Sequence, residues 1–256
     1  MSLPVSDGSG AEAPARRIGV LKDAPRAEPA LQRLIRKAVP QVALVLVGLI
    51  PAALLGSDFL NGRLSVNPIE DITHRTGEWT LYLLMTTLAV TPLRRWTGWN
   101  GLIRFRRTIG LLAFGYASLH FLTYAVLDQG LFLQGDVLKY LGEDVTKRPY
   151  ITVGFTAFVL LLPLALTSTK GWVRRLGGKR WNALHRVIYV AGALGVLHFL
   201  WLVKGEQLRP VYFGMLLIML LVARLVAARR QSAAVGTTAT ARVQAPSPRP
   251  APLITR

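Results

Sequence analysis

The sequence predicts an all-α integral membrane protein, a bundle of six transmembrane helices with both termini in the cytoplasm. Hydrophobic residues make up 52% of the chain, and the mean hydropathy of +0.38 is too high for an ordinary soluble domain. The apolar residues fall into separate runs, each close to the roughly 17–25 residues that cross a hydrocarbon core about 30 Å thick. Basic and acidic residues alternate between the segments that join these runs.

Six segments qualify as spans, and the second and fourth are at the short end of the range. Proline occurs in or beside several of them, mostly near an end, where the missing N–H costs least. The predicted spans are Ala38–Leu55, Gly77–Leu93, Thr108–Leu127, Tyr150–Leu166, Ala183–Val203 and Pro210–Ala228.

The charges between the spans set the predicted orientation. Four clusters contain basic residues and no acid: Arg33, Arg36 and Lys37; Arg94, Arg95, Arg104, Arg106 and Arg107; Lys170, Arg174, Arg175, Lys179 and Arg180; Arg229 and Arg230. The acids lie in the other loops, at Asp58, Glu70, Asp71, Glu78, Asp128, Asp136, Glu143, Asp144 and Glu206. Because basic loops stay in the cytoplasm, both termini are predicted to lie there. We assign residues 34–230 to the transmembrane domain, and 1–33 and 231–256 to disordered cytoplasmic tails, since these are rich in Pro, Ala and Gly.

Composition also narrows the chemistry. The chain has no cysteine, which excludes disulfides, iron–sulfur clusters and covalently attached c-type heme. The formal net charge is +18. Because these charges flank apolar runs, we expect membrane lipid and not nucleic acid as their partner.

Three histidines lie inside apolar runs, where each ring is a costly polar group that must have a partner. At about 1.5 Å per residue, His120 and His198 both lie roughly 18–22 Å from the cytoplasmic face. Histidines that face one another across a helical bundle can hold a heme without covalent attachment. The matched depth predicts one heme b with His120 and His198 as its axial ligands. Small residues that would make room for a porphyrin are Gly110, Ala113, Gly115, Ala117, Ala191, Gly192, Ala193 and Gly195.

His185 is a candidate ligand of a second, inner heme, roughly 20 Å from His198 along a straight helix. The two rings would then point roughly 140° apart. The position matching His185 on the third span is Arg107, which cannot bind iron. Arg107 and Arg186 are instead candidates to contact a heme propionate or a lipid headgroup.

Other interpretations remain open on residues alone. The histidines can be interhelical hydrogen-bonding groups, His185 can face headgroups, the small residues can serve helix packing, and His74 fits a solvated loop. A proton or solute transporter with a histidine relay is a second function class. A stand-alone ferric or oxygen reductase is a third, although we expect the C-terminal tail to be too short for the flavin and nucleotide domain that such enzymes use.

Several local motifs follow one another along the chain: RRTIGLLAFGYASLHFLTY (Arg106–Tyr124), KRPYITVG (Lys147–Gly154), LALTSTKGWVRRLGGKRWNALHRVIY (Leu164–Tyr189) and GVLHFLWLVK (Gly195–Lys204). In this order they resemble the MsrQ (YedZ) family, a member of the ferric-reductase-like transmembrane group. The segments NPIEDITHRTGEWTLYLL (Asn67–Leu84) and TPLRRW (Thr91–Trp96) are similar too, so that the resemblance extends over about Val39 to Ala228.

The resemblance implies a b-type cytochrome of the bacterial inner membrane that passes electrons outward. The acceptor would be a periplasmic molybdopterin enzyme, MsrP, which reduces methionine sulfoxide in oxidised proteins. The family's heme histidines map onto His120, His185 and His198, while Arg107 departs from the four-histidine pattern of the related NADPH oxidases. The quinone pool or a flavin reductase would be the donor, and FMN is implied by the resemblance alone. The chain would be an electron-transfer subunit and not the sulfoxide-reducing enzyme. The outer loops, Ser57–Thr76 and Asp128–Pro149, are the expected docking surface, and their net acidic charge predicts a basic patch on MsrP.

Overall fold

The structure, a computed structural model, describes residues 30–128, 137–203 and 208–244, and the described residues are almost entirely helical, without a strand among them. The chain divides into two compact units, Met1–Val39 and Pro40–Arg256. The described part of the first unit is the beginning of α1. The helices are α1 (Ala30–Leu60), α2 (Pro68–Thr97), α3 (Arg106–Leu122), α4 (Val137–Lys147), α5 (Pro149–Leu166), α6 (Lys170–His185), α7 (Ile188–Leu202) and α8 (Arg209–Gln244).

Among the described residues, five helical stretches are long and apolar enough to cross a membrane: Ala38–Leu60, Asn100–Leu127, Pro149–Leu166, Lys170–Leu202 and Arg209–Arg230. They contain or closely match five of the six predicted spans. The predicted span Gly77–Leu93 lies within α2, which is helical throughout but less apolar than the others. The chain is therefore an all-α membrane protein.

The lower hydropathy of α2 follows from its threonines and its position. Thr76, Thr80 and Thr87 each donate a hydrogen bond to a carbonyl one turn earlier in the same helix, so their hydroxyls need no water. The helix also contributes Leu84 and Leu88 to the hydrophobic core. A helix surrounded by other helices needs less lipid-facing apolar surface than one at the rim.

The second unit is organised around two helix pairs. α2 packs along α3, and α5 packs along α7, while α8 packs against both α2 and α7. Buried side chains from all five helices form one core, among them Ala113, Leu161, Ala191 and Phe213. This arrangement places α3 and α7, which carry His120 and His198, beside α2 and α5 respectively.

An arginine compensates for the proline inside α2. Pro92 has no N–H, so the carbonyl of Leu88 lacks its usual intrahelical donor. Arg224 of α8 supplies one, with Nη2 2.7 Å from the Leu88 oxygen. The same guanidinium donates to the Tyr189 hydroxyl and lies over that ring, 5.1 Å from its centroid. Arg224 therefore stabilises the part of α2 around Pro92.

A tyrosine is inserted into the hydrogen-bond ladder of α1. The Tyr116 hydroxyl of α3 donates to the Gly48 carbonyl at 2.8 Å and accepts from the Ala52 N–H at 3.1 Å. These two groups would ordinarily bond each other, and Pro51 lies beside them. The inserted hydroxyl joins α1 to α3 and satisfies both backbone groups.

Three features differ from the sequence-based expectations. The predicted span Ala183–Val203 is not one helix, because α6 ends at His185 and two turn residues precede α7. The straight-helix angle between His185 and His198 is therefore wrong. A short helix, α4, lies within the predicted outer loop Asp128–Pro149.

Helix also extends into both predicted tails. α1 begins at Ala30, and α8 continues through 231–244, a stretch that contains several good helix formers such as alanine and arginine. The other residues of the two tails lie outside the described residues, and disorder there stays a prediction.

Candidate functional site

Two of the three membrane histidines lie close together, with their rings edge-on to each other. The ring centroids of His120 on α3 and His198 on α7 are 6.1 Å apart, with the ring planes at 76°. Both rings line one cavity of about 320 Å³, whose walls come mainly from α2, α3, α5 and α7. A cavity of this size is within the range of cofactor pockets. The structure thus brings together the pair that depth matching selected.

Both rings are held in the same tautomer. His120 Nδ1 lies 2.9 Å from the Thr73 carbonyl oxygen, and His198 Nδ1 lies 2.7 Å from the Tyr150 carbonyl oxygen. A carbonyl only accepts, so each Nδ1 carries the hydrogen and donates it. Each Nε2 is then the unprotonated nitrogen, which is the form that binds a metal. A backbone carbonyl on the second ring nitrogen is the usual support of a metal-binding histidine.

A glycine makes each of these hydrogen bonds accessible. Gly77 is four residues after Thr73, and Gly154 is four residues after Tyr150. Each glycine therefore lies one helical turn after the residue whose carbonyl accepts the histidine hydrogen bond. A Cβ on Gly77 would lie 3.1 Å from His120 Nδ1, and a Cβ on Gly154 would lie 2.7 Å from His198 Nδ1. The missing side chains let each imidazole approach the neighbouring helix and reach its backbone.

The ring separation fits one metal ion between the two histidines. A metal–imidazole bond is about 2.0 Å, and the centre of a five-membered ring lies roughly 1.1 Å behind its nitrogen, given C–N bonds of about 1.33 Å. Two imidazoles on opposite sides of one metal therefore have centroids about 6.2 Å apart. The observed 6.1 Å agrees with this value.

The cavity has an apolar body and a polar end. Large apolar side chains such as Leu81 and Phe158 form the walls, and small residues, Ala117, Ala191 and Gly195, leave the space open. Polar groups gather at the end formed by the start of α2 and the α4–α5 connection. They include Asn67, Glu70, His74, Tyr124 and Arg148. A flat apolar ring with charged substituents at one edge suits such a pocket.

Comparison with known proteins shows which proteins this chain is similar to. Residues 76–196 match the family described as ferric reductase like transmembrane component. The chain is 51% identical over 192 residues to the protein-methionine-sulfoxide reductase heme-binding subunit MsrQ of Herminiimonas arsenicoxydans, a match covering 72% of this chain and 86% of the relative. The subunits of the same name are 47% identical over 196 residues in Rhodospirillum rubrum, covering 77% and 92%, and 50% identical over 180 residues in Xanthomonas campestris pv. campestris strain 8004, covering 68% and 79%.

The chain belongs to the MsrQ family. The region matched to the ferric-reductase-like component includes His120 and His185 and ends shortly before His198. Within this chain the cavity histidines are contributed by α3 and α7, and their carbonyl partners by α2 and α5.

His185 has a different environment from the other two. Its Nε2 lies 3.2 Å from the Thr167 hydroxyl, and its ring stacks on Trp181 with centroids 3.9 Å apart. The Thr167 hydroxyl is 2.6 Å from the Pro163 carbonyl and donates there, so it accepts from His185. Nε2 is therefore the protonated nitrogen in this arrangement, the opposite of His120 and His198. His185 does not line their cavity.

The two predicted arginine contacts lie elsewhere. Arg107 is exposed and lines a separate groove between α1 and α3, and Arg186 is exposed at the end of α6. Neither lines the histidine cavity. Their contacts with a heme propionate or a lipid headgroup stay predictions.

Several residues of the site were not found from sequence. His74, expected in a solvated loop, lines the cavity together with Arg148. Gly77 and Gly154 were not distinguished from packing glycines, because nothing in the sequence says which helix lies against which histidine. A glycine four residues after a candidate backbone acceptor is the only local signal, and it is weak without the fold.

Proposed function

We propose that this protein is the b-type cytochrome subunit of a protein-methionine-sulfoxide reductase system, with His120 and His198 as the axial ligands of one heme b. The observation that carries the proposal is the matched pair of imidazoles, each with Nδ1–H on a backbone carbonyl and both on one cavity. The names of the relatives, which are heme-binding subunits, support the same cofactor.

The other residues of the cavity have supporting roles in this proposal. Gly77 and Gly154 allow the rings to reach their carbonyls, and the apolar walls exclude water. His74 and Arg148, at the polar end, would contact the propionates. A bound heme would supply one-electron transfer there, and His120 and His198 together would favour electron transfer over oxygen chemistry. The chain therefore acts as an electron carrier and not as the enzyme that reduces the sulfoxide.

The membrane topology is also part of the proposal. We place six spans in the bacterial inner membrane and both termini in the cytoplasm. The span that adds to the five most apolar stretches is the one within α2. The arginine clusters support this orientation, and the polar end of the cavity lies among the acidic segments that would face the periplasm. The heme would then lie close to the outer surface, where an external acceptor can approach.

We propose a periplasmic MsrP-like molybdopterin reductase as the acceptor, docked on the outer segments, and the quinone pool or a flavin reductase as the donor. Many of the described outer acids are already paired. Asp58 and Asp71 both contact Arg75, and Glu143 contacts Lys147. We therefore expect the electron-transfer rate to depend only modestly on salt concentration. FMN and a second heme at His185 remain predictions from the family resemblance and the sequence.

The visible spectrum of the purified protein tests the heme assignment. The wild type should give a reduced-minus-oxidised b-type signal, and this signal should be lost in both His120→Ala and His198→Ala. His185→Ala is the matched control, a membrane histidine outside the cavity, and it should keep the signal from the outer heme. Its heme-to-protein ratio then distinguishes one heme from two. A colourless wild type after expression with ample heme would refute the proposal.

A further inference from the structure

A second cavity, separate from the histidine site, lies between α1 and α3. It has a volume of about 780 Å³ and is lined by residues 41–52 of α1 and 107–119 of α3, together with Arg104. Most of its lining is apolar, and Val42, Leu46 and Leu49 on α1 are largely exposed. The Tyr116 hydroxyl, at one end, is already used by Gly48 and Ala52. The body of this groove therefore offers an apolar surface without a free polar group.

The dimensions of the groove match one leaflet of a bilayer. The lining residues extend over about eleven steps of α1 and twelve of α3, which is roughly 17–18 Å at 1.5 Å per residue. Half of a hydrocarbon core about 30 Å thick is about 15 Å. An extended acyl chain that runs from the headgroup level to the bilayer centre would fill the groove.

The charge at one end selects the headgroup. Arg104 and Arg107 line the same end of the groove as Gln41 and Thr108, and no carboxylate lines it. Among the described residues, neither arginine is in an ion pair with Asp or Glu. Two unneutralised guanidinium groups above an apolar groove complement a phosphate with an attached acyl chain.

We propose that this groove binds one anionic phospholipid, with an acyl chain between α1 and α3 and the phosphate at Arg104 and Arg107. Only the choice of leaflet rests on the proposed function: with the basic segments in the cytoplasm, the lipid belongs to the inner leaflet. A bound chain would fill the space between α1 and α3 on either side of their contact at Tyr116. The lipid thus acts as a structural partner of α1.

Lipid retention by the detergent-purified full chain tests this site. Native mass spectrometry would count bound lipid after exchange into phosphatidylglycerol or into phosphatidylcholine with the same acyl chains. The wild type should retain one phosphatidylglycerol roughly ten- to thirty-fold better than phosphatidylcholine, given the attraction of two basic residues. The double variant Arg104→Gln/Arg107→Gln should lose this preference. The control Arg229→Gln/Arg230→Gln removes the same charge from two exposed positions of α8 and should keep the preference.

A steric variant tests the position independently of charge. A Cβ on Gly115, which lines the groove, meets no heavy atom within 4 Å, so Gly115→Leu should fill the groove and reduce retention while both arginines remain. The proposal would be overturned if the wild type retained the two lipids equally, or if the Arg229/Arg230 control lost the preference as fully as the Arg104/Arg107 variant. It would also be overturned by unchanged retention in Gly115→Leu, or by retention of a neutral quinone in place of the lipid. The heme spectrum of every variant should stay that of the wild type, because these residues do not line the histidine cavity; a colourless wild type would count against the heme alone.

Discussion

Replacing Gly154 with alanine should loosen the heme site, because the new methyl group would occupy the space of the His198 ring. The added Cβ would lie 2.7, 2.8 and 2.9 Å from Nδ1, Cε1 and Cγ of that ring. Ordinary contacts of this kind begin near 3.4 Å. The ring must therefore shift by several tenths of an ångström, and the 2.7 Å hydrogen bond to the Tyr150 carbonyl opposes that shift.

The size of the effect follows from these contacts. Overpacking a close-packed site costs typically about 1–3 kcal/mol, and losing the support of a metal-binding histidine weakens metal binding about 10- to 100-fold. We expect Gly154→Ala to weaken heme retention by about this factor. Gly77→Ala should have a smaller effect, below about ten-fold, since its Cβ would lie 3.1 Å from His120 and a small adjustment suffices.

Transfer of heme to excess apomyoglobin, followed by absorbance, measures retention in each variant. Gly56→Ala on α1 is the control, since a Cβ there meets nothing within 4 Å. It reports the gain of roughly 0.5–1 kcal/mol in protein stability that alanine brings to any helix. The reasoning is refuted if Gly154→Ala retains heme as firmly as Gly56→Ala and the wild type.

The remaining predictions concern stability in detergent, measured as the free energy of unfolding. Tyr116→Phe should cost about 1 kcal/mol, because two hydrogen bonds to α1 are lost and one direct backbone bond can replace them. The control Tyr212→Phe changes an exposed ring and should cost nothing. Equal unfolding free energies of the two variants would contradict the role of the inserted hydroxyl. Arg224→Met should cost about 1–3 kcal/mol because it leaves the Leu88 carbonyl without a donor. In a Pro92→Ala background the restored N–H can bond the Leu88 carbonyl, so the cost of Arg224→Met should fall by about 1 kcal/mol. If the effects of Arg224→Met and Pro92→Ala simply add, Arg224 does not compensate for the proline.

The sequence was sufficient for the features that depend on local composition and period. Long apolar runs predicted the helices, since a backbone in lipid must satisfy its own hydrogen bonds. Membrane depth, estimated from residue counts, selected His120 and His198 as a pair. The same counting did not predict the turn before Ile188, which separates His185 from the helix that carries His198.

What sequence could not give was the neighbour of each helix face. The tertiary structure decided that α2 lies against His120 and α5 against His198, and so gave Gly77 and Gly154 their role. It also turned Arg107 toward α1, away from the histidines. Apolar surface is non-directional, so composition alone tells that a helix is buried but not against what. The sequence by itself determined a helical membrane protein with two depth-matched histidines, and only the packing of the helices decided which atoms support them.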